Sequence, residues 1–161
     1  IKRLRRDLEL FKRECPHTCD ELTSNEHNDH HQHVPELYNN SYCSIILETH
    51  FDADGSGGAF LTEKTFKCLK HGHPFVIIGA PGSLNTLRQL GYRVFDHAID
   101  NSYDWETDNT QRWLMARAAI EQIQQYNIHD WFQSVYKDIQ HNQQLFLQSK
   151  QDRVNNLLSK L

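Results

Sequence analysis

His73-Pro74-Phe75-Val76-Ile77-Ile78-Gly79 is the stretch on which the fold turns. Phe75 to Ala80 is the longest apolar run in the chain. It is short, β-branched and bounded by proline and glycine, so it predicts a buried strand. Working outward, Thr62 to Lys70 predicts a helix that Gly72 ends. Before it, Ser44-Ile45-Ile46-Leu47 predicts a second buried strand over 44–48. After it, Pro81-Gly82-Ser83 is a turn in which Ser83 can cap a helix Leu84 to Leu90. Gly91 ends that helix, and Tyr92-Arg93-Val94-Phe95 predicts a third strand. Strands alternating with helices imply βαβ units on a parallel sheet, whose ligands bind beyond the carboxyl ends of the strands. The predicted class is α/β, a Rossmann-like parallel sheet with a helical C-terminal third.

Both flanks have a different character. Residues 1–14 are basic, with Leu4, Leu8 and Phe11 on one helical face. Residues 15–40 are rich in His, Asn and Asp and predict a long loop, with 15–36 its least ordered part. In the C-terminal third, Trp113, Ala116, Ile120 and Ile123 are expected to share one helical face. Trp131, Val135, Ile139, Leu145 and Phe146 are expected to share another, and Val154, Leu157, Leu158 and Leu161 mark a last amphipathic segment. The expected organisation is 1–40 as helix and loop, 41–125 as the sheet unit, and 126–161 as C-terminal helices. No internal repeat is visible.

Composition narrows the function classes. The chain has 161 residues, enough for one sizeable core, and a formal net charge of −4, not the basic face of a nucleic-acid binder. No apolar stretch reaches membrane-span length. The first residue is Ile1 and a basic segment follows, so no signal peptide is expected and a cytoplasmic setting is the default. Of the four cysteines, Cys43 and Cys68 lie in apolar segments and predict small core residues.

The element with chemical content is Phe60-Leu61-Thr62-Glu63-Lys64, at a strand-to-helix junction. Thr62 can cap the helix, and Glu63 suits the positive end of its dipole. A helix start there also offers backbone N–H groups to a phosphate. A carboxylate can accept hydrogen bonds from ribose hydroxyls, and an ammonium beside it can neutralise a diphosphate.

With Glu48-Thr49-His50 after the first strand, Phe60 two residues before Thr62-Glu63-Lys64, and Pro74 to Gly79, the chain resembles the donor-binding half of fucosyltransferases, the GT-B type of glycosyltransferase. Extended through Leu84, Gly91 and Asp100-Asn101-Ser102-Tyr103-Asp104, it is also similar to glycosyltransferase-like proteins of large phages and viruses. The resemblance covers roughly residues 41–125. It implies a donor-binding set of Glu63 on the ribose, Lys64 on the diphosphate and Phe60 against the nucleotide, with Thr62, Glu48 and Gly79 around them. It implies a nucleotide diphosphate sugar as donor and no required cofactor. Thr49-His50 replaces the family's Asn-Ser, and Arg5, Arg6 and Arg13 are candidates for its upstream phosphate-binding arginine. The acceptor half, which supplies the catalytic base, is not in this stretch, so the catalytic residues stay unknown. An acceptor-binding domain or a larger assembly is the implied partner. The alternative is a non-catalytic structural or interaction module of a viral or phage assembly, virion-associated, that retains the fold.

Other patterns compete. Asp52, Asp54, Ser56 and Glu63, with Gly57 between, follow the spacing of an EF-hand calcium loop. The β-branched run before it and the lysines after it argue against the two flanking helices such a loop needs. His27, His30, His31 and His33 with Cys15, His17 and Cys19 are zinc-type side chains, but their spacing fits no standard finger. Arg88, Arg93 and Arg112 could reach phosphate, although a solvated or salt-bridging role suits their contexts. Tyr103 and Trp105 could stack on a base or join the core.

Overall fold

The computed structural model describes residues 35–52 and 59–158, all within one compact unit, His33–Leu161. The expectations for residues 1–34, for Asp54 and for Ser56 fall outside the described residues. The chain forms α1 (Pro35–Asn39), β1 (Ser44–Leu47), α2 (Glu63–His71), β2 (Phe75–Ile78), α3 (Ser83–Gln89), a 3-10 helix (Ser102–Trp105), α4 (Asn109–Ile123) and α5 (Ile128–Leu158). It is a mixed α/β fold with a helical C-terminal part. α1 falls inside the predicted 15–40 loop. Pro35 starts it, where the missing N–H costs nothing.

β1 and β2 pair in parallel, Ser44 opposite Phe75 and Leu47 opposite Ile78. The helix between them is the predicted one. Thr62 caps its start, and Gly72, at φ 60, closes its end with an N–H bonded to Cys68 and Leu69 carbonyls. β2 is buried at every residue, as its unbroken apolar run requires. β1 is buried on one face only: Ile46 points inward, while Ile45 and Leu47 are 53% and 60% exposed.

The third strand expected at 92–95 is not formed, so among the described residues the sheet stops at two strands. The segment's backbone groups find amide side chains instead. Asn142 of α5 accepts from the Arg93 N–H at 2.8 Å and donates to the Arg93 carbonyl at 2.8 Å. Asn101 donates to the Val94 carbonyl at 2.6 Å. Phe95 then enters the left-handed region at φ 64, which ends any extended run.

Two smaller expectations also change. Ser83 does not cap α3. It lies within the first turn, its hydroxyl donating to the Ala80 carbonyl at 2.7 Å, and Gly82 holds the cap position. On α4 Ala116 and Ile123 are buried as expected and Ile120 packs against the core, but Trp113 is 45% exposed and Arg112 and Ala119 are buried with them. Arg112 has acceptors inside, described below.

Trp131, Val135 and Ile139, one turn apart along α5, enter the same core as Phe75, Ile77, Leu87 and Phe95. Phe75 and Phe95 meet edge to face at 5.2 Å. α5 packs along α2, and β2 packs against α4, so the two C-terminal helices supply the surfaces that a larger sheet would otherwise offer. No helix among the described residues is long and apolar enough to cross a membrane.

Candidate functional site

The carboxyl ends of β1 and β2 open onto the starts of α2 and α3, and the predicted residues gather there. Glu48, the first residue past β1, is buried. Its carboxylate accepts from the Thr62 N–H at 3.1 Å, the Thr62 hydroxyl at 2.6 Å and the Thr65 hydroxyl at 2.5 Å. Thr62 in turn accepts from the Lys64 N–H at 3.4 Å. A side chain from the preceding strand therefore secures the helix start. The expectation that α2 leaves open backbone N–H groups for a phosphate is corrected at these positions, because Glu48 and Thr62 already occupy them.

Glu63 and Lys64 stand outside this cap. Their side chains are 40% and 45% exposed, and the ammonium lies 3.5 Å from the Glu63 carboxylate and 3.4 Å from the Thr62 hydroxyl. The Glu63 carboxyl sits below its ordinary range. Slight desolvation raises it, but a hydrogen bond from its own backbone N–H and the nearby Lys64 and Lys67 ammonium groups outweigh that. It is thus an ionised acceptor at neutral pH. Phe60 is 53% exposed, its ring edge-on to His50 at 5.4 Å.

Gly79, just past β2, forms the floor between the two helix starts. A Cβ there would meet the Ser83 hydroxyl oxygen at 3.0 Å and the Glu48 Cβ at 3.2 Å, so a side chain would push the strand ends apart. Across this floor the start of α3 is also held by a carboxylate. Asp104 accepts from the Leu84 N–H at 2.8 Å and the Asn85 N–H at 2.9 Å, and its own carbonyl accepts from Gly82. Burial raises the Asp104 carboxyl above its usual value, although these N–H bonds and Arg88 act in the other direction.

Arg112 is the other residue whose role sequence reasoning missed. It is 1% exposed. Its guanidinium donates to the Glu106 carbonyl at 2.9 Å, the Asn109 side-chain oxygen at 2.7 Å and the Phe51 carbonyl, and it lies 4.2 Å over the Phe51 ring. Burial depresses its affinity for the proton, against the pull of Asp52, Glu106 and Asp108. It fastens the exit from β1 to α4. Arg88 and Arg93 form ion pairs, Arg88 with Asp96 at 2.5 Å and Arg93 with Asp138 at 2.8 Å. Tyr103 is in the core and Trp105 is on the surface.

For the calcium reading, β1 is a strand where an entering helix is required. Asp52 accepts from the Asn109 amide at 2.7 Å. Among the described residues no three His, Cys, Asp or Glu side chains are grouped to hold a metal ion.

No protein-family signature, curated protein or solved structure matches the chain. Among the described residues, a cavity of about 510 Å3 lies beside Tyr38, His71 and Phe132, and another of about 390 Å3 lies beside His97, Tyr126 and Trp131, away from this rim of strand ends and helix starts.

Proposed function

We propose that this unit binds a nucleotide diphosphate sugar as the donor half of a glycosyltransferase. Phe60 lies against the nucleotide, Glu63 accepts from the ribose hydroxyls, and Lys64 neutralises the diphosphate. One observation carries the reading. The helix cap is complete without Glu63 and Lys64, because Glu48 and Thr62 supply it, yet both charges are held at the carboxyl edge of a parallel strand pair. In transfer, Lys64 would stabilise the departing diphosphate, and the remaining contribution is positioning.

Titrating the wild type, Lys64→Ala and Glu63→Ala with guanosine and uridine diphosphates and with inorganic diphosphate tests this. Lys64→Ala should weaken all diphosphates by about tenfold or more, the worth of one charge-assisted hydrogen bond. Glu63→Ala should weaken the nucleotides and spare inorganic diphosphate. Both variants should keep the wild-type melting temperature. Equal binding by all three proteins would show that the site lies elsewhere.

A second reading, a structural or interaction module without turnover, draws on a different observation. Both helix starts on this rim already hold internal carboxylates, Glu48 at α2 and Asp104 at α3. A wild type that binds no nucleotide diphosphate at millimolar concentration would leave this reading standing.

A further inference from the structure

The larger of the two cavities lies at the amino ends of the strands, where Ser41 and Tyr42 lead into β1 and His73 leads into β2. Its volume, about 510 Å3, falls within the range of small-molecule sites. Tyr38, Tyr42 and Phe132 bring aromatic rings to its lining. Tyr38 lies flat on the His71 ring, centroids 4.4 Å apart, and Tyr42 and Phe132 meet at 5.7 Å with 75° between their planes. A hydrogen bond of 2.7 Å between the Tyr42 hydroxyl and His129 Nδ1 holds one wall of that corner, and the packing of Phe132 against the core holds the other. Walls ordered in advance lose less entropy on binding.

The polar groups of the lining divide into committed and free. The Ser41 hydroxyl donates to the Leu37 carbonyl at 2.6 Å, and the His73 ring is held by the Ser41 carbonyl and the Ser44 hydroxyl. The Asn39 and Asn40 carboxamides make no hydrogen bond among the described residues, and each offers both a donor and an acceptor. Among the described residues that line the cavity there is no Asp, Glu, Lys or Arg, so neither an ammonium nor a phosphate finds a counter-charge there. His71 covers one face of Tyr38, and Tyr42 and Phe132 stand nearly perpendicular, so these rings form no parallel pair to sandwich a planar base. What fits an aromatic corner beside free carboxamides is a puckered, uncharged ring with an apolar C–H face and neighbouring hydroxyls.

We infer that this cavity binds an uncharged pyranose, its C–H face against the Tyr42–Phe132 corner and its hydroxyls on Asn39 and Asn40. The site is separate from the rim at the other end of the strands and does not rest on the donor-binding reading. The test follows backbone amide shifts while the full chain is titrated with the methyl glycosides of glucose, galactose and mannose. Uracil, tetramethylammonium and inorganic phosphate serve as controls for a planar base, a cation and an anion. At least one glycoside should give saturable shifts at Asn39, Asn40, Ser41 and Phe132, and the controls should give none there. The double variant Asn39→Ala, Asn40→Ala should weaken that binding about tenfold with an unchanged melting temperature, since both side chains are exposed. Phe132→Leu, which keeps apolar bulk and loses the ring, should weaken it as well, while Phe132→Tyr should retain it. No shift with any glycoside at tens of millimolar overturns the inference. So does a control that shifts the same amides as strongly, because the cavity would then take another class of ligand. Unchanged glycoside affinity in the double asparagine variant also overturns it.

Discussion

Glu48 satisfies three donors with one carboxylate, and no other polar side chain at this corner does as much. Removing it strands the Thr65 hydroxyl in a fully buried position and frees the N–H that starts α2. Glu48→Ala is expected to cost about 2–3 kcal/mol in urea unfolding, the range for leaving buried donors without partners. Glu48→Gln, which keeps one acceptor, should cost less. Equal stability of both variants and the wild type would mean that the cap does not depend on Glu48. This residue also marks how far sequence reading reaches. Thr62-Glu63-Lys64 was visible as a helix start with two charges, and Thr62 does cap. The motif could not show that the carboxylate completing the cap comes from Glu48, fourteen residues earlier. That partner is fixed by how β1 and α2 pack, which local spacing does not encode.

At the scale of elements, the joints between segments are made by single polar side chains. Asn142 substitutes for a neighbouring strand by pairing with both backbone groups of Arg93. Asn142→Ala should destabilise the fold by about 1–3 kcal/mol, seen as a lower urea midpoint with an unchanged slope. A neutral result would show that water serves the Arg93 backbone as well. His73 joins the entry of β1 to that of β2. Its Nε2–H donates to the Ser41 carbonyl at 2.9 Å, and its Nδ1 accepts from the Ser44 hydroxyl at 3.0 Å in the neutral ring. Burial holds the imidazole below the usual histidine range, although the bonds to Ser41 and Pro74 backbone pull upward. The folded state therefore binds fewer protons than the unfolded one near neutrality. Stability from His73 is present above about pH 6.5, the unfolded value, and is lost as pH falls from there toward the folded value. The urea midpoint should drop between about pH 7.5 and 5.5, and His73→Asn should flatten that drop. An unchanged slope in the variant would place the proton uptake elsewhere. The two strands, α2 and its Gly72 stop were legible because apolar runs and caps are local signals. The 92–95 strand was misread because its partner, Asn142, is far away in sequence. On α4 Ala116 and Ile123 face the core as expected and Ile120 packs against it, but Arg112 takes the inward place expected of Trp113, because carbonyl oxygens and the Phe51 ring receive it inside.

For the molecule as a whole, the two parallel strands among the described residues are too few to carry a core, and α4 and the 31-residue α5 together supply what the sheet lacks. This leaves β2 enclosed, one face of β1 bare, and the carboxyl edge of both strands open between two carboxylate-held helix starts. The exposed Glu63–Lys64 pair stands at the start of α2 beside that edge. The measurement that tests the account most directly is the backbone amide spectrum of isotope-labelled protein during titration with guanosine or uridine diphosphate. Saturable shifts should appear at Thr62, Glu63 and Lys64 and at neighbouring Phe60 and Glu48, while α5 amides stay still. No shifts at millimolar ligand, or shifts gathered around Tyr38, His71 and Phe132, would contradict it.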